Sequence, residues 1–311
     1  MRTEPACAAT SDLIEYSYTA NILAILGEIR ILRFSSVGGL EMDRSQNCYV
    51  AFLDIMGFAN FVNNTNSANV LEYLNNLVNI ANRLNLPSLN LNVSIFSDTI
   101  AISAPVIDDA TNGLAGYYNF LAYINTILMV NITEPKLGLL PLRGAVTKGE
   151  FYTNNKDILF GKAWVEAYNL EKNHACFPRV VVRPEDVTPE KAKTATNNIN
   201  NLFINVGLDK KVPRTLKVFD GQSQPLRRDN DGVLHCNYFS SLWLHGKGWS
   251  PNTPAWVLAH RNYAVKKLEE YKDSPSICEK YVWMKDYHNW FCGGHNELHG
   301  FVIKDTVATP S

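Results

Sequence analysis

The chain has 311 residues, of which 46% are hydrophobic and 19% charged, and 29 Lys and Arg against 30 Asp and Glu leave a formal net charge of -1. That length fits one large domain or two modest ones. The near balance of charge argues against a partner that is bulk nucleic acid or an anionic membrane, both of which call for a basic surface.

In chain order, residues 1–46 read as an N-terminal extension, with mixed helical character over Leu13–Phe34 and a loop at Ser35–Gly39. Cys48–Leu53 is a largely apolar run that predicts a buried strand, leading into Asp54 and a turn at Gly57. Val70, Leu71, Leu74, Leu77, Val78, Ala81 and Leu84 recur at helical spacing, so Asn69–Leu84 reads as an amphipathic helix. Leu91–Ile95 and Thr99–Ile102 alternate around Ser97-Asp98, which predicts a hairpin with an acid at its tip.

The stretch Ala110–Thr133 carries no charge and is long enough to span a bilayer. Asn112, Asn119, Asn125 and Asn131 interrupt it, so a buried helix from about Leu114 to Met129 is the better reading. Leu140–Thr147 predicts a strand with Gly144 inside it and a turn at Gly149. Glu150–Tyr152 and Ile158–Phe160 flank the polar turn Thr153-Asn154-Asn155, a second hairpin. Gly161 opens a helix and Arg179–Val182 is a further strand. Beyond Pro184, prolines break up the pattern until two helices at Thr253–Tyr271 and Ser276–Asn289. The order predicts an α+β fold, an α/β sandwich with helices on a largely antiparallel sheet. We divide it into residues 1–46, a core at 47–184 and a C-terminal extension at 185–311 that serves as a cap, dimerisation or regulatory element.

The six cysteines form no CxxC pair, and the first twenty residues hold no apolar signal segment. Both features predict reduced, buried thiols and a cytoplasmic protein. In the tail, His288, Cys292, His295 and His299 resemble a zinc spacing, but without a second cysteine pair a structural role is the better expectation. The tail tryptophans lack interleaved basic residues, so they are expected to pack and not to stack on bases.

The placement of two acids carries the chemistry. Asp54 ends an apolar strand and Asp98 sits at a hairpin tip. A carboxylate there is costly unless it is paired or holds a metal. Taken singly, Asp54 also suits a helix N-cap and Asp98 an ordinary turn. Two such acids on adjacent strands would hold two divalent ions for phosphoryl displacement. The turn at Gly57 and Phe58 offers backbone N–H groups to phosphate oxygens.

Tyr49-Val-Ala-Phe-Leu-Asp54-Ile-Met-Gly57-Phe58 resembles the first strand of class III nucleotidyl cyclases. Phe96-Ser-Asp98-Thr-Ile resembles their second metal-binding hairpin, Arg143-Gly-Ala-Val-Thr-Lys-Gly149-Glu150 their next strand, and Gly161 to Glu171 the helix that ends the pattern. The resemblance covers roughly Cys48 to Val182. It implies metal binding by Asp54, Asp98 and the Ile55 carbonyl, with two Mn²⁺ or Mg²⁺ ions per site. It also implies a homodimer with composite active sites and a nucleoside triphosphate substrate.

The departures are specific. Ser94 stands where purine cyclases carry a lysine, and Ile158, next to Asp157, where they carry a base-reading acid. Val165 takes the place of the transition-state asparagine and Asn169 that of the arginine. Arg143, Lys148, Lys162 and Asn169 are the candidates to replace the missing donor. Arg143 is either aimed at the ligand or held in an internal ion pair. Tyr49 either narrows the base pocket or packs in the core.

Loss of purine readout together with the long tail resembles the bacterial pyrimidine cyclases of anti-phage Pycsar systems. That implies conversion of UTP to cyclic UMP, and a separate effector that responds to the product. The alternatives are a cytidylate cyclase making cyclic CMP, and a degenerate cyclase-like module that binds nucleotide without catalysis.

Overall fold

The computed structural model describes residues 45–84, 89–106, 113–133, 140–153, 158–188, 190–191, 224–244 and 248–304. The expectations for Leu13–Phe34, Ser35–Gly39, Asn112, Asn154, Asn155 and Asp157 fall outside the described residues.

Strand β1 (Gln46–Ile55) lies at the centre of a mixed sheet. Its flanking strands are β3 (Thr99–Pro105) and β4 (Leu142–Thr153), both antiparallel to it. Strand β2 (Asn92–Phe96) pairs with β3 through the expected hairpin, and the short β5 (Leu159–Phe160) folds back on β4. Beyond β4 come β6 (Val180–Val182), β8 (Leu234–Cys236) and β7 (Leu226–Arg228). Among the described residues the order is β2-β3-β1-β4-β6-β8-β7, with β5 off the path. Among the described strands only β4 and β6 pair in parallel, so the α+β, largely antiparallel reading holds. A separate two-stranded ribbon joins β9 (Trp243–Leu244) to β10 (Gly248–Trp249).

Alternation along β1 divides its side chains between two layers. Tyr49, Ala51, Leu53 and Ile55 belong to the larger core, while Cys48, Val50 and Phe52 point the other way. The larger core is closed by α2 (Ser67–Arg83) and α3 (Leu114–Thr133). A short helix α1 (Phe58–Asn64) precedes α2, which begins where the Asn66 side chain accepts from the Asn69 amide at 2.9 Å. On the opposite face lies α4 (Lys162–His174), whose Trp164 and Tyr168 rings sit 5.1 and 5.6 Å from that of Phe52.

The uncharged segment becomes α3, and nearly all of its second half is buried. Its asparagines are reconciled with the core by internal partners: Asn125 donates to the Pro225 carbonyl at 2.9 Å, and Asn131 to the Leu140 carbonyl. No helix of the described residues is long and apolar enough to cross a membrane. Cys48, Cys236, Cys278 and Cys292 are buried free thiols as expected, but Cys176 is exposed.

One turn is corrected. Strand β4 does not end at Gly149; it runs on to Thr153 because β1 keeps pairing with it, Cys48 opposite Gly149 and Gln46 opposite Phe151. The sheet also continues past Pro184 through β7 and β8. Buried Arg179 ties the two stretches, binding Asp229 at 2.9 Å and Asp231 at 2.6 Å from the loop that joins those strands.

The tail helices α5 (Thr253–Glu270) and α6 (Pro275–Gly293) enclose a polar chain. The Tyr238 hydroxyl lies 2.9 Å from His260 Nε2, His260 Nδ1 lies 3.2 Å from His288 Nδ1, and His288 Nε2 lies 3.0 Å from the Phe301 carbonyl. One proton assignment satisfies every link: Tyr238 donates to His260, His260 to His288, and His288 to Phe301, both rings neutral. A proton added to His288 would set its Nδ1–H against the His260 Nδ1–H, and one added to His260 would set its Nε2–H against the Tyr238 O–H.

Burial lowers the pKa of His288 to about 4 and, with the His288 charge adding to it, that of His260 well below the ordinary 6.5. Between about pH 6.5 and 4 the unfolded chain therefore binds more protons, so stability falls as pH falls through that window. His288 alone is expected to account for about 3 kcal/mol by pH 4. Urea unfolding midpoints measured from pH 7.5 down to 4.5 should decline steadily below pH 6.5. A flat profile would contradict the neutral-pair assignment.

Candidate active site

Facing residues on antiparallel strands share a sheet face. Asp54 stands opposite Thr99 on one side and Arg143 on the other, and Phe52 opposite Ala101, which in turn faces Ser94. Asp54, Arg143, Thr99 and Ser94 therefore lie on the α4 side. That face of the β2–β3 hairpin is only partly covered: Ser94 and Thr99 are half-buried and Phe96 is exposed. The result is an open shelf beside Asp54, walled by α4.

The Asp98 backbone is fixed beside the same strand end. Ile55 N–H donates to the Asp98 carbonyl at 2.8 Å, and Met56 N–H to the Pro141 carbonyl at 2.9 Å. Ser97 adopts a left-handed φ of 58°, which closes the tight turn that precedes Asp98. Among the described residues Asp98 makes no ion pair. Gly57, at φ 78°, turns the chain from β1 into α1, a conformation that favours glycine. The Phe58 side chain is buried in the core, so only its amide is available to a ligand.

Arg143 resolves to the ion-pair alternative. Its Nε donates to Asp54 Oδ2 at 2.8 Å and lies 3.0 Å from Glu171 Oε1. Burial alone would lower its pKa, but the hydrogen bond to Asp54 and the charges of Glu171 and Asp54 prevail and raise it. Glu171 itself is raised, because burial outweighs the Arg143 charge and Asp54 adds to the burial effect.

Glu171 escaped the sequence reading of roles, although a signal for it exists. Ala163, Ala167 and Glu171 are the buried residues of α4, at i, i+4 and i+8. An acid that continues a buried alanine stripe has to meet a partner on the sheet beneath.

Four other candidates lie elsewhere. Tyr49 is wholly buried on the opposite face from Asp54, between Tyr117 and Phe120, and its hydroxyl donates to the Gly113 carbonyl. Lys148 faces Tyr49 on that same side, and exposed Lys162 pairs with Glu150 at 3.4 Å. Asn169 is exposed on α4, turned away from the buried stripe, and so is not brought to Asp54 of its own chain. Val165 and Ile158 are exposed as well.

The donor set fits a small divalent cation. Two carboxylates and a backbone carbonyl are hard oxygen ligands, and such ions take few protein groups and keep phosphate and water oxygens. Among the described residues no three His, Cys, Asp or Glu side chains gather closely enough to hold a metal ion by themselves. In the tail, His288 Nε2 lies 3.4 Å from Cys292 Sγ, while His299 turns to the Gly293 carbonyl.

No family profile and no curated protein matches the chain. Solved structures give remote likenesses. The adenylyl cyclase CyaB from P. aeruginosa is 15% identical over 51% of this chain and 83% of that one, at a TM-score of 0.33. The guanylate cyclase domain of RhGC from Catenaria anguillulae, in complex with GTP, is 15% identical over 50% and 82%, at 0.31. A bacterial light-regulated adenylyl cyclase is 15% identical over 63% and 59%, at 0.35. Similarity at this level assigns no activity.

Proposed function

We propose that the chain is a nucleotide cyclase that converts UTP to 3′,5′-cyclic UMP and pyrophosphate. The observation that carries this reading is the juxtaposition of Asp54 and Asp98, held at one end of neighbouring strands by the bond from Ile55 N–H to the Asp98 carbonyl. The class III motifs fall in order around that point, on β1, the β2–β3 hairpin, β4 and α4.

Asp54, Asp98 and the Ile55 carbonyl would hold two Mn²⁺ or Mg²⁺ ions. When bound, such ions neutralise phosphate charge and acidify the ribose 3′-hydroxyl. The protein's own groups position the substrate. The amides of Gly57 and Phe58 take triphosphate oxygens at the turn. Ser94, on the shelf, presents a hydroxyl to the pyrimidine edge. Before an ion binds, Arg143 holds the Asp54 carboxylate in one orientation. The reaction then needs an in-line approach of the 3′-oxygen to the α-phosphorus, which is chiefly a matter of orientation and charge.

Asn169 faces away from Asp54 of its own chain, so its amide serves a nucleotide held by a second copy. Exposed Phe160, Val165 and Tyr168 on the β5–α4 side supply an apolar surface for that copy. The product acts as the messenger of an anti-phage defence, read by a separate effector. A second reading, nucleotide binding without turnover, is favoured by Val165, an exposed aliphatic where the cyclase pattern has an amide donor.

The test is incubation of the purified chain with ATP, GTP, CTP or UTP plus Mn²⁺, with products separated by chromatography. Cyclic UMP as the major product is expected. Cyclic CMP would move the assignment to the cytidylate alternative, a cyclic purine product would overturn the pyrimidine reading, and no product would leave the binding module.

A further inference from the structure

Arg143 pairs with two carboxylates and gives its hydrogen bond to one of them. Its Nε–H is directed to Asp54 Oδ2, and the same nitrogen lies 3.0 Å from Glu171 Oε1. That glutamate oxygen is buried and receives no hydrogen bond. The Glu171 side chain is only 7% exposed, against 20% for Asp54 and 35% for Arg143. A buried carboxylate oxygen that has an ion-pair partner but no aligned hydrogen bond is a cost the fold carries continuously. It is relieved as soon as the guanidinium turns from one acid to the other, a movement within the reach of a side chain.

We propose that Arg143 passes from Asp54 to Glu171 when a divalent cation binds Asp54, so that Glu171 is a positioning residue for the cation site. The inference rests on the cyclase reading for the location of the cation and goes beyond it in assigning Glu171 and the movement of Arg143. A cation at Asp54 competes with the guanidinium for the same carboxylate and repels it. Without another acceptor, Arg143 would remain beside Asp54 and oppose the ion. Glu171 offers a buried negative charge on α4, on the helix face that also buries Ala163 and Ala167. The neutral pair exists before the cation arrives as Arg143–Asp54 and afterwards as Arg143–Glu171, and at no stage is the guanidinium left without a carboxylate.

The test is Mn²⁺ binding by the full-length chain, measured by calorimetry and by loss of the free-ion paramagnetic signal, with no nucleotide present. The unaltered chain should bind Mn²⁺ in a manner abolished by Asp54→Asn. Glu171→Gln should bind about tenfold more weakly, since the guanidinium then prefers to stay on Asp54. The double variant Arg143→Gln with Glu171→Gln should recover most of that loss, an outcome that a merely structural role for Glu171 would not produce. Equal affinity for Glu171→Gln and the unaltered chain would overturn the handover and leave the cyclase reading standing. Absence of any Asp54-dependent Mn²⁺ binding in the unaltered chain would remove the cyclase reading and the handover with it. If Glu171→Gln does not fold, nuclear magnetic resonance of the Arg143 Nε–H in the unaltered chain decides the matter. The resonance should shift on Mg²⁺ addition and stay protected from exchange, and an unchanged resonance overturns the proposal.

Discussion

Asp54→Asn and Asp98→Asn are each expected to lower the rate of cyclic-nucleotide formation at least about a hundredfold, and the double variant by little more than either single one. The two acids act as one unit, because an ion held by a single carboxylate has lost half of what fixes it. The variants should differ in stability. Asp54→Asn removes the charge that Arg143 pairs with at 2.8 Å. That pair is partly solvated, so the loss is expected to be about 1 kcal/mol. Asp98 makes no ion pair among the described residues, and its replacement should change stability by less than about 0.5 kcal/mol. Rate measurements paired with urea titrations of all three variants check both statements. An Asp98→Asn variant of full activity would refute the two-acid account, and additive losses would show two independent sites.

The second large effect is expected from Gly144→Ala. Gly144 lies in β4 opposite Leu53, one residue from Arg143. A Cβ there would collide with the Phe52 carbonyl oxygen and stand 2.8 Å from Leu53 Cδ2 and 3.0 Å from Leu53 Cα. Two of those obstacles are backbone in the centre of the sheet, so no side-chain rotation relieves them. The strands have to part, which costs about 3 kcal/mol or more. The displacement falls on the pair of residues that hold Asp54 and Arg143 opposite each other, and a shift of about 1 Å there is enough to reduce turnover about a hundredfold. Thermal unfolding should show a lowered midpoint, and the residual folded protein should show impaired activity. A variant of unchanged stability would mean that β1 and β4 do not approach as closely as described.

The central elements were legible because their patterns are strong. An unbroken apolar run gave β1, alternation around Ser97-Asp98 gave the hairpin, and a long uncharged segment gave α3. The face occupied by each β1 side chain was legible too. Tyr49 and Asp54 are five positions apart, an odd number, and in a strand that places them on opposite faces. Of the two alternatives for Tyr49, the ring accordingly takes the core beneath the sheet. The extension of the sheet through Leu226–Arg228 and Leu234–Cys236 was not legible, because strands of three residues are too short to show a period. Their place is set by partners distant in sequence, such as Arg179 with Asp229 and Asp231. The Asp54–Arg143–Glu171 cluster needed strand register and helix docking together. Sequence supplies the alanine stripe that buries Glu171, but not the strand on which that stripe comes to rest.

The most direct test of the site is a crystal of the chain grown with Mn²⁺ and a UTP analogue lacking the 3′-hydroxyl, with the ion located by its anomalous scattering. The account predicts a Mn²⁺ peak about 2 Å from carboxylate oxygens of both Asp54 and Asp98, with the triphosphate at the Gly57 turn. Nucleotide bound elsewhere, or Asp54 still held by Arg143 with no ion beside it, would contradict it.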